Sequence, residues 1–229
     1  MFFDYYYLVL VMPAILFALW AQAQVSGTFA KFSKVRTMRG LTGAQAAEAV
    51  LRAGGVYDVR IERISGNLTD HFDPRAKVIR LSDSVYDSPS VAAVGVAAHE
   101  AGHAVQHAHA YAPLKMRSSL VPVISFASNW MMWVLLIGMF TLNVFPQIML
   151  FGIILFAATT LFSFITLPVE IDASRRAVKW LSEAGVTNNR NYGAAVSALR
   201  SAAYTYVVAA LGSLATLLYY VMIFLGRRD

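Results

Sequence analysis

The chain has 229 residues, 58% of them hydrophobic and only 14% charged, with a formal net charge of +6. Soluble globular domains carry about one-quarter charged residues, so this composition points to a membrane protein, and no nucleic-acid motif accompanies the positive charge to suggest a nucleic-acid partner. Cysteine is absent, which excludes disulfides and thiolate ligands and leaves histidine and carboxylate to hold any metal.

A first apolar span covers residues 5–23. Ala21-Gln22-Ala23 resembles a signal-peptide cleavage site, but the leading "MFFD" has no Lys or Arg and includes an acid. Lys31, Lys34, Arg36 and Arg39 follow it. That asymmetry predicts an uncleaved anchor that starts outside and ends in the cytoplasm.

The polar stretch of residues 24–118 reads as a small α+β unit. Thr42 with Gln45 forms a capping-box pattern opening a helix through about Arg52, closed by Gly54-Gly55. "VYDVRIERI" (residues 56–64) and "KVIRLS" (residues 77–82) carry the apolar alternation of strands. "SGNLTDHFDP" between them has turn chemistry, with Asp73-Pro74 its strongest signal. Within it, His71 is a candidate oxyanion stabiliser, although the turn reading is favoured. "KVIRLS" is expected to offer an open edge to which a substrate peptide adds as a strand. Ser88 and Pro89 suggest a cap and first-turn proline for the next helix.

That helix carries "VAAHEAGHAVQHAHA", in which His99-Glu100-Ala101-Gly102-His103 fits H-E-x-x-H. Helical residues four apart lie about 40° apart around the axis, so both imidazoles can reach one ion. Glu100, next to the first histidine, is placed to take a proton from water that zinc has acidified to a pKa of about 7. The preceding "VAAVGVAA" predicts a buried helix, and burying two histidines and a glutamate without metal or partners is costly.

A catalytic zinc needs a third protein ligand. His109 sits where the last histidine of H-E-x-x-H-x-x-G-x-x-H falls, but Gln106 replaces the turning glycine. If the helix runs to Ala108, His109 is about 9 Å along the axis from His103, and His107 about 12 Å from His99. Both drop to neighbouring or surface roles. The preferred third ligand is Glu170 in "LPVEIDASRRA", the alternative being an interfacial acid paired with Arg175 or Arg176. Asp172 should point to another face of that helix.

Three more apolar spans follow the zinc motif: residues 120–142, 146–167 and 204–225, the first two joined by the short "NVFP" turn. Twelve Lys and Arg lie in residues 24–118, none in the turn, five in 170–203 and two at Arg227-Arg228. Both long polar stretches are therefore expected in the cytoplasm, with the final "GRRD" outside. The expected organisation is an anchor (1–23), a cytoplasmic α+β domain (24–118), a transmembrane hairpin (119–168), cytoplasmic helices with the third ligand (169–203) and a last transmembrane helix (204–229). Tyr204 and Tyr206 are further oxyanion candidates, though tyrosine is common at membrane interfaces.

The tyrosine-rich first span, "GNLTDHFDPRAKVIRLS", "VAAHEAGHAVQHA", "LPVEIDASRRA" and "SAAYTYVVAAL", in that order, resemble the YugP-like membrane zinc metallopeptidases of bacteria over nearly the whole chain. The resemblance implies a zinc endopeptidase with a glutamate third ligand, distantly similar to HtpX-type membrane proteases. By matching positions, His99, His103 and Glu170 would hold one zinc ion per chain and Glu100 would be the catalytic base. HtpX-type proteases place an aspartate four residues after the ligand glutamate. Here that position is Ser174, so the support of the zinc histidine does not transfer.

The expected fold is mainly α: a multi-span integral membrane protein with four transmembrane helices and a small α+β, zincin-like cytoplasmic domain. The expected partners are peptide or membrane-protein substrates and the lipid bilayer. Two other readings compete. A site-2-type intramembrane protease would need H-E-x-x-H within a span and an aspartate in a later one, which no span supplies. A scaffold with structural zinc would have no need of Glu100.

Overall fold

The computed structural model describes residues 5–186 and 192–226. The terminal residues 1–4 and 227–229, and Arg190, on which the orientation argument drew, lie outside them. The described chain is mainly helical. Four helices are long and apolar enough to cross a membrane. They are α1 (Met12–Phe32, preceded by a π-helical turn, Tyr7–Val11), α5 (Ala112–Phe140), α6 (Pro146–Glu183) and α7 (Tyr192–Gly226). The shorter elements come between α1 and α5: α2 (Gly43–Ala53), β1 (Arg60–Ile64), β2 (His71–Asp73), β3 (Val78–Ser82), α3 (Asp83–Tyr86) and α4 (Val91–Ala108). Helix α6 runs past its apolar stretch to Glu183, and α7 begins at Tyr192, ahead of its apolar stretch.

The chain divides into two compact units, the first comprising residues 1–21, 116–167 and 205–229. In it, α5 and α6 meet through glycines. A Cβ on Gly138 would lie 2.6 Å from Met149 Cα, and one on Gly152 would lie 2.8 Å from Leu135 Cδ2. Such small residues let helix backbones approach closely where lipid offers no hydrophobic drive. Leu135, Met149 and Ile153 are buried at this seam, whereas Trp130, Trp133, Phe151 and Leu161 are exposed. That outward apolar surface suits contact with lipid.

The second unit comprises residues 22–115 and 168–204. Its sheet has the order β1-β3-β2, with β1 parallel and β2 antiparallel to β3. Three expectations need correction here. The strand of "KVIRLS" is central, paired on both sides, so it offers no open edge and a substrate cannot add to it. Residues 71–73 form the strand β2 where turn chemistry alone was expected, because Phe72 and its neighbours pair with Arg80, Ile79 and Val78. The turn itself falls just after, where Asp73 Oδ1 accepts from Arg75 N–H at 3.0 Å and Ala76 N–H at 3.2 Å. The first strand starts at Arg60, after an irregular segment from Val56.

Helix α2 has the expected capping box, with Thr42 and Gln45 each satisfying the other's backbone N–H. Helix α4 is capped by Ser90, not Ser88: the Ser90 hydroxyl accepts from Ala93 N–H, and Ser88 instead donates to Ser90 Oγ. Pro89 and the short α3 push the start of α4 later than the sequence suggests. The core packs α2, α3, α4 and the sheet around Ile79, Leu81, Val85 and Val94, all fully buried. Each such side chain contributes about 1.5–3 kcal/mol by leaving water. Val91 to Ala98 of α4 are almost entirely buried small residues, which draw the helix into this core.

Candidate metal centre

Helix α4 presents His99 and His103 one turn apart, their rings edge to face with centroids 4.7 Å apart. Glu170 comes from α6, three residues beyond the apolar stretch that ends at Leu167. What brings the two helices together is Gly102, the glycine inside the motif. A Cβ there would stand 3.0 Å from the Ala173 carbonyl oxygen and 3.4 Å from Ala173 Cα. A side chain there would press on the α6 backbone, and Ala173 is less than one turn from Glu170.

His99 Nε2 and His103 Nε2 each lie 3.3 Å from the same oxygen, Glu170 Oε2. One ligand atom from each of the three residues falls within 4.8 Å of the others, so the group could hold a metal ion. Two ligands bound at about 2.0–2.1 Å in a tetrahedral site stand about 3.4 Å apart, close to the spacing seen. Glu170 is 2% exposed and His103 9%, so this is a largely dry carboxylate among imidazoles.

The outer ring nitrogens are tethered. His99 Nδ1 lies 3.1 Å from Ser174 Oγ, and His103 Nδ1 lies 3.0 Å from Gln106 Oε1. Hydrogen bonds of this kind orient metal-binding histidines and raise their basicity. Ser174 thus reaches a histidine from the position where HtpX-type proteases carry aspartate. Gln106, in the place of the missing turning glycine, reaches the other.

The electrostatics favour a positive charge at this point. Burial works against a charged His103, but its contact with Glu170 and the charge of Glu100 outweigh it, so its pKa is raised. The Glu100 carboxyl is pushed up by burial, partly offset by the neighbouring His99 and His103. The donor set, two neutral imidazoles and one carboxylate, fits zinc.

The other sequence candidates lie elsewhere. His107 and His109 are exposed, and His107 packs against Phe72 with ring centroids 5.8 Å apart and the rings tilted. Helix α4 runs to Ala108 with His109 as its C-cap, and it closes without glycine: Tyr111 N–H bonds the Gln106 carbonyl at 3.0 Å while Ala110 adopts φ 52. His71 is exposed on β2. Its Nδ1 bonds the Thr69 carbonyl at 2.8 Å and its Nε2 lies 3.5 Å from Arg80 Nη1. Tyr204 and Tyr206 are exposed on α7. Of the two arginines expected as alternative partners of Glu170, Arg176 donates to Asp172 at 2.6 Å.

Sequence reasoning passed over Gly102 and Gln106 as functional positions. For Gly102 the signal was a glycine within a helix, which costs about 1 kcal/mol relative to alanine and calls for a packing reason. For Gln106 it was an amide one turn after the second histidine of the motif, on the same helix.

Residues 7–225 match a family described as "Putative neutral zinc metallopeptidase". The chain is also 44% identical over 225 residues to "Putative membrane protease YugP" of Bacillus subtilis (strain 168), covering 97% of this chain and 98% of that protein. No solved structure matches it. With nearly its full length matched, and with two histidines and a glutamate gathered for a metal, the chain belongs to this family of neutral zinc metallopeptidases.

Proposed function

We propose that the protein is an integral-membrane zinc endopeptidase in which His99, His103 and Glu170 hold one zinc ion and Glu100 is the general base. The observation that carries this reading is the convergence of two imidazole Nε2 atoms on one buried carboxylate oxygen, each at 3.3 Å. Zinc bound there supplies a Lewis acid for water and for the scissile carbonyl.

The chain's own residues do the rest. Ser174 and Gln106 hold the two imidazoles by their outer nitrogens. Glu100 accepts a proton from the attacking water and delivers it to the leaving amine as the C–N bond breaks. Burial raises its pKa, the direction that suits a general base. The substrates in this reading are membrane proteins or their membrane-proximal segments, because Glu170 follows the apolar stretch of α6 by only three residues. The concentration of Lys and Arg in the two polar stretches supports a site on the cytoplasmic face.

The test is Glu100→Gln in the purified full-length protein. The variant is expected to keep its zinc and lose cleavage of a casein-like substrate by about 10²-fold or more. Unchanged cleavage by Glu100→Gln would reject the mechanism.

A further inference from the structure

We propose that Gln106 is a positioning residue for the metal centre: clamped by Asp172 and the Val169 carbonyl, it holds His103 with its proton on Nδ1. This leaves Nε2, 3.3 Å from Glu170 Oε2, as the nitrogen that would bind the metal. The inference rests on the metallopeptidase reading above and adds what selects the binding form of one ligand.

The argument is one of donors and acceptors. Gln106 is fully buried. Its Nε2 lies 2.9 Å from the Val169 carbonyl oxygen and 2.8 Å from Asp172 Oδ2. Both partners are acceptors only, so the amide nitrogen must face them and both its protons are used. The amide oxygen is thereby forced toward His103 Nδ1, 3.0 Å away. An oxygen of this kind can only accept, so the proton must sit on Nδ1. Nothing in this chain of bonds can reverse without leaving a buried polar atom unpaired, at a cost of about 1–3 kcal/mol.

Asp172 is itself held. Arg176 Nε donates to it at 2.6 Å, and the Arg176 guanidinium lies over the Tyr111 ring at 5.9 Å from its centroid. Tyr111 in turn closes the end of α4 on the Gln106 carbonyl. Glu170 and Asp172 thus have different tasks. Glu170 faces the histidine pair, and Asp172 anchors the amide that orients one of them.

The test measures zinc affinity of the full-length protein by competition with a chelator. Gln106→Met keeps the length of the side chain and removes its hydrogen bonds, and should weaken zinc binding by about 10- to 100-fold. Gln106→Glu sets two carboxylates against each other and should weaken it likewise. Asp172→Asn keeps an oxygen that accepts from both Gln106 and Arg176 and should bind zinc nearly as well as the parent, whereas Asp172→Leu releases the amide and should weaken zinc binding about as much as Gln106→Met. Zinc binding by Gln106→Met equal to the parent's, or by Asp172→Leu equal to that of Asp172→Asn, would overturn the proposal. If Gln106→Met does not fold, the comparison of the two Asp172 variants decides alone. A parent protein that binds no zinc would overturn the metallopeptidase reading itself, and is seen before any variant is made.

Discussion

Gly102→Ala tests the packing that brings the third ligand to the histidines. The added Cβ would meet the Ala173 carbonyl oxygen at 3.0 Å and Ala173 Cα at 3.4 Å, both backbone atoms that cannot rotate away. Overpacking of this kind costs about 1–3 kcal/mol, against which alanine gains about 1 kcal/mol in helix propensity. The net expectation is a loss of about 0–2 kcal/mol. Gly95, on the same helix, is the internal control, because its Cβ would meet only Leu199 Cγ at 3.9 Å, an ordinary contact. Gly95→Ala should therefore gain about 0.5–1 kcal/mol. Unfolding free energies of the two variants, from denaturant titrations after zinc is removed by a chelator, should differ by the clash, about 1–3 kcal/mol. Gly102→Ala should also bind zinc more weakly, since any retreat of α6 carries Glu170 with it. Equal stability of the two variants, with unchanged zinc affinity, would refute the view that Gly102 sets the spacing of α4 and α6.

Ser174→Ala removes the partner of His99 Nδ1 and should lower zinc affinity by about 10-fold, read by the same chelator competition. Orientation can be read from a single cysteine placed at Tyr57, which is 80% exposed in a chain that has none. A membrane-impermeant maleimide should label it only after the cells are permeabilised. Acid should loosen the sheet unit. Asp58, Asp73 and Asp83 have lowered pKa values, through hydrogen bonds from Lys77, from the Ala76 backbone with Arg80, and from Arg63 respectively. The unfolded chain then binds more protons than the folded one in this range, so stability is in place above the ordinary carboxylate pKa and is lost as the pH falls through the lowered values. The urea midpoint should drop between pH 6 and pH 3, and less steeply in high salt because these pairs are exposed.

The parts of the fold legible in the sequence were those set by local chemistry. Long apolar runs without charge announced α1 and the apolar parts of α5, α6 and α7, and the Thr42–Gln45 pair announced α2. Strand order was not legible, because it depends on long-range pairing. The three-residue β2 is too short to show a period, and its location beside β3 decides which edge is covered. The cap of α4 was displaced by two residues because Ser88 and Ser90 are equally good caps locally, and long-range bonds tie the chain ahead of Ser90, Gly43 N–H to the Ser88 carbonyl and Thr37 N–H to the Pro89 carbonyl. At the site, H-E-x-x-H and an acid soon after an apolar span were visible as candidates. The tethers were not. Gln106 and Asp172 are 66 residues apart, and Ser174 and His99 are 75 apart, so only the α4–α6 contact reveals them.

The most direct test of the account is an anomalous-scattering map of the crystallised protein, recorded at the zinc edge. The account predicts one strong peak per chain, bounded by Nε2 of His99, Nε2 of His103 and a carboxylate oxygen of Glu170. A peak at His107 or His109, or a peak at the histidine pair with Glu170 turned away, would contradict it.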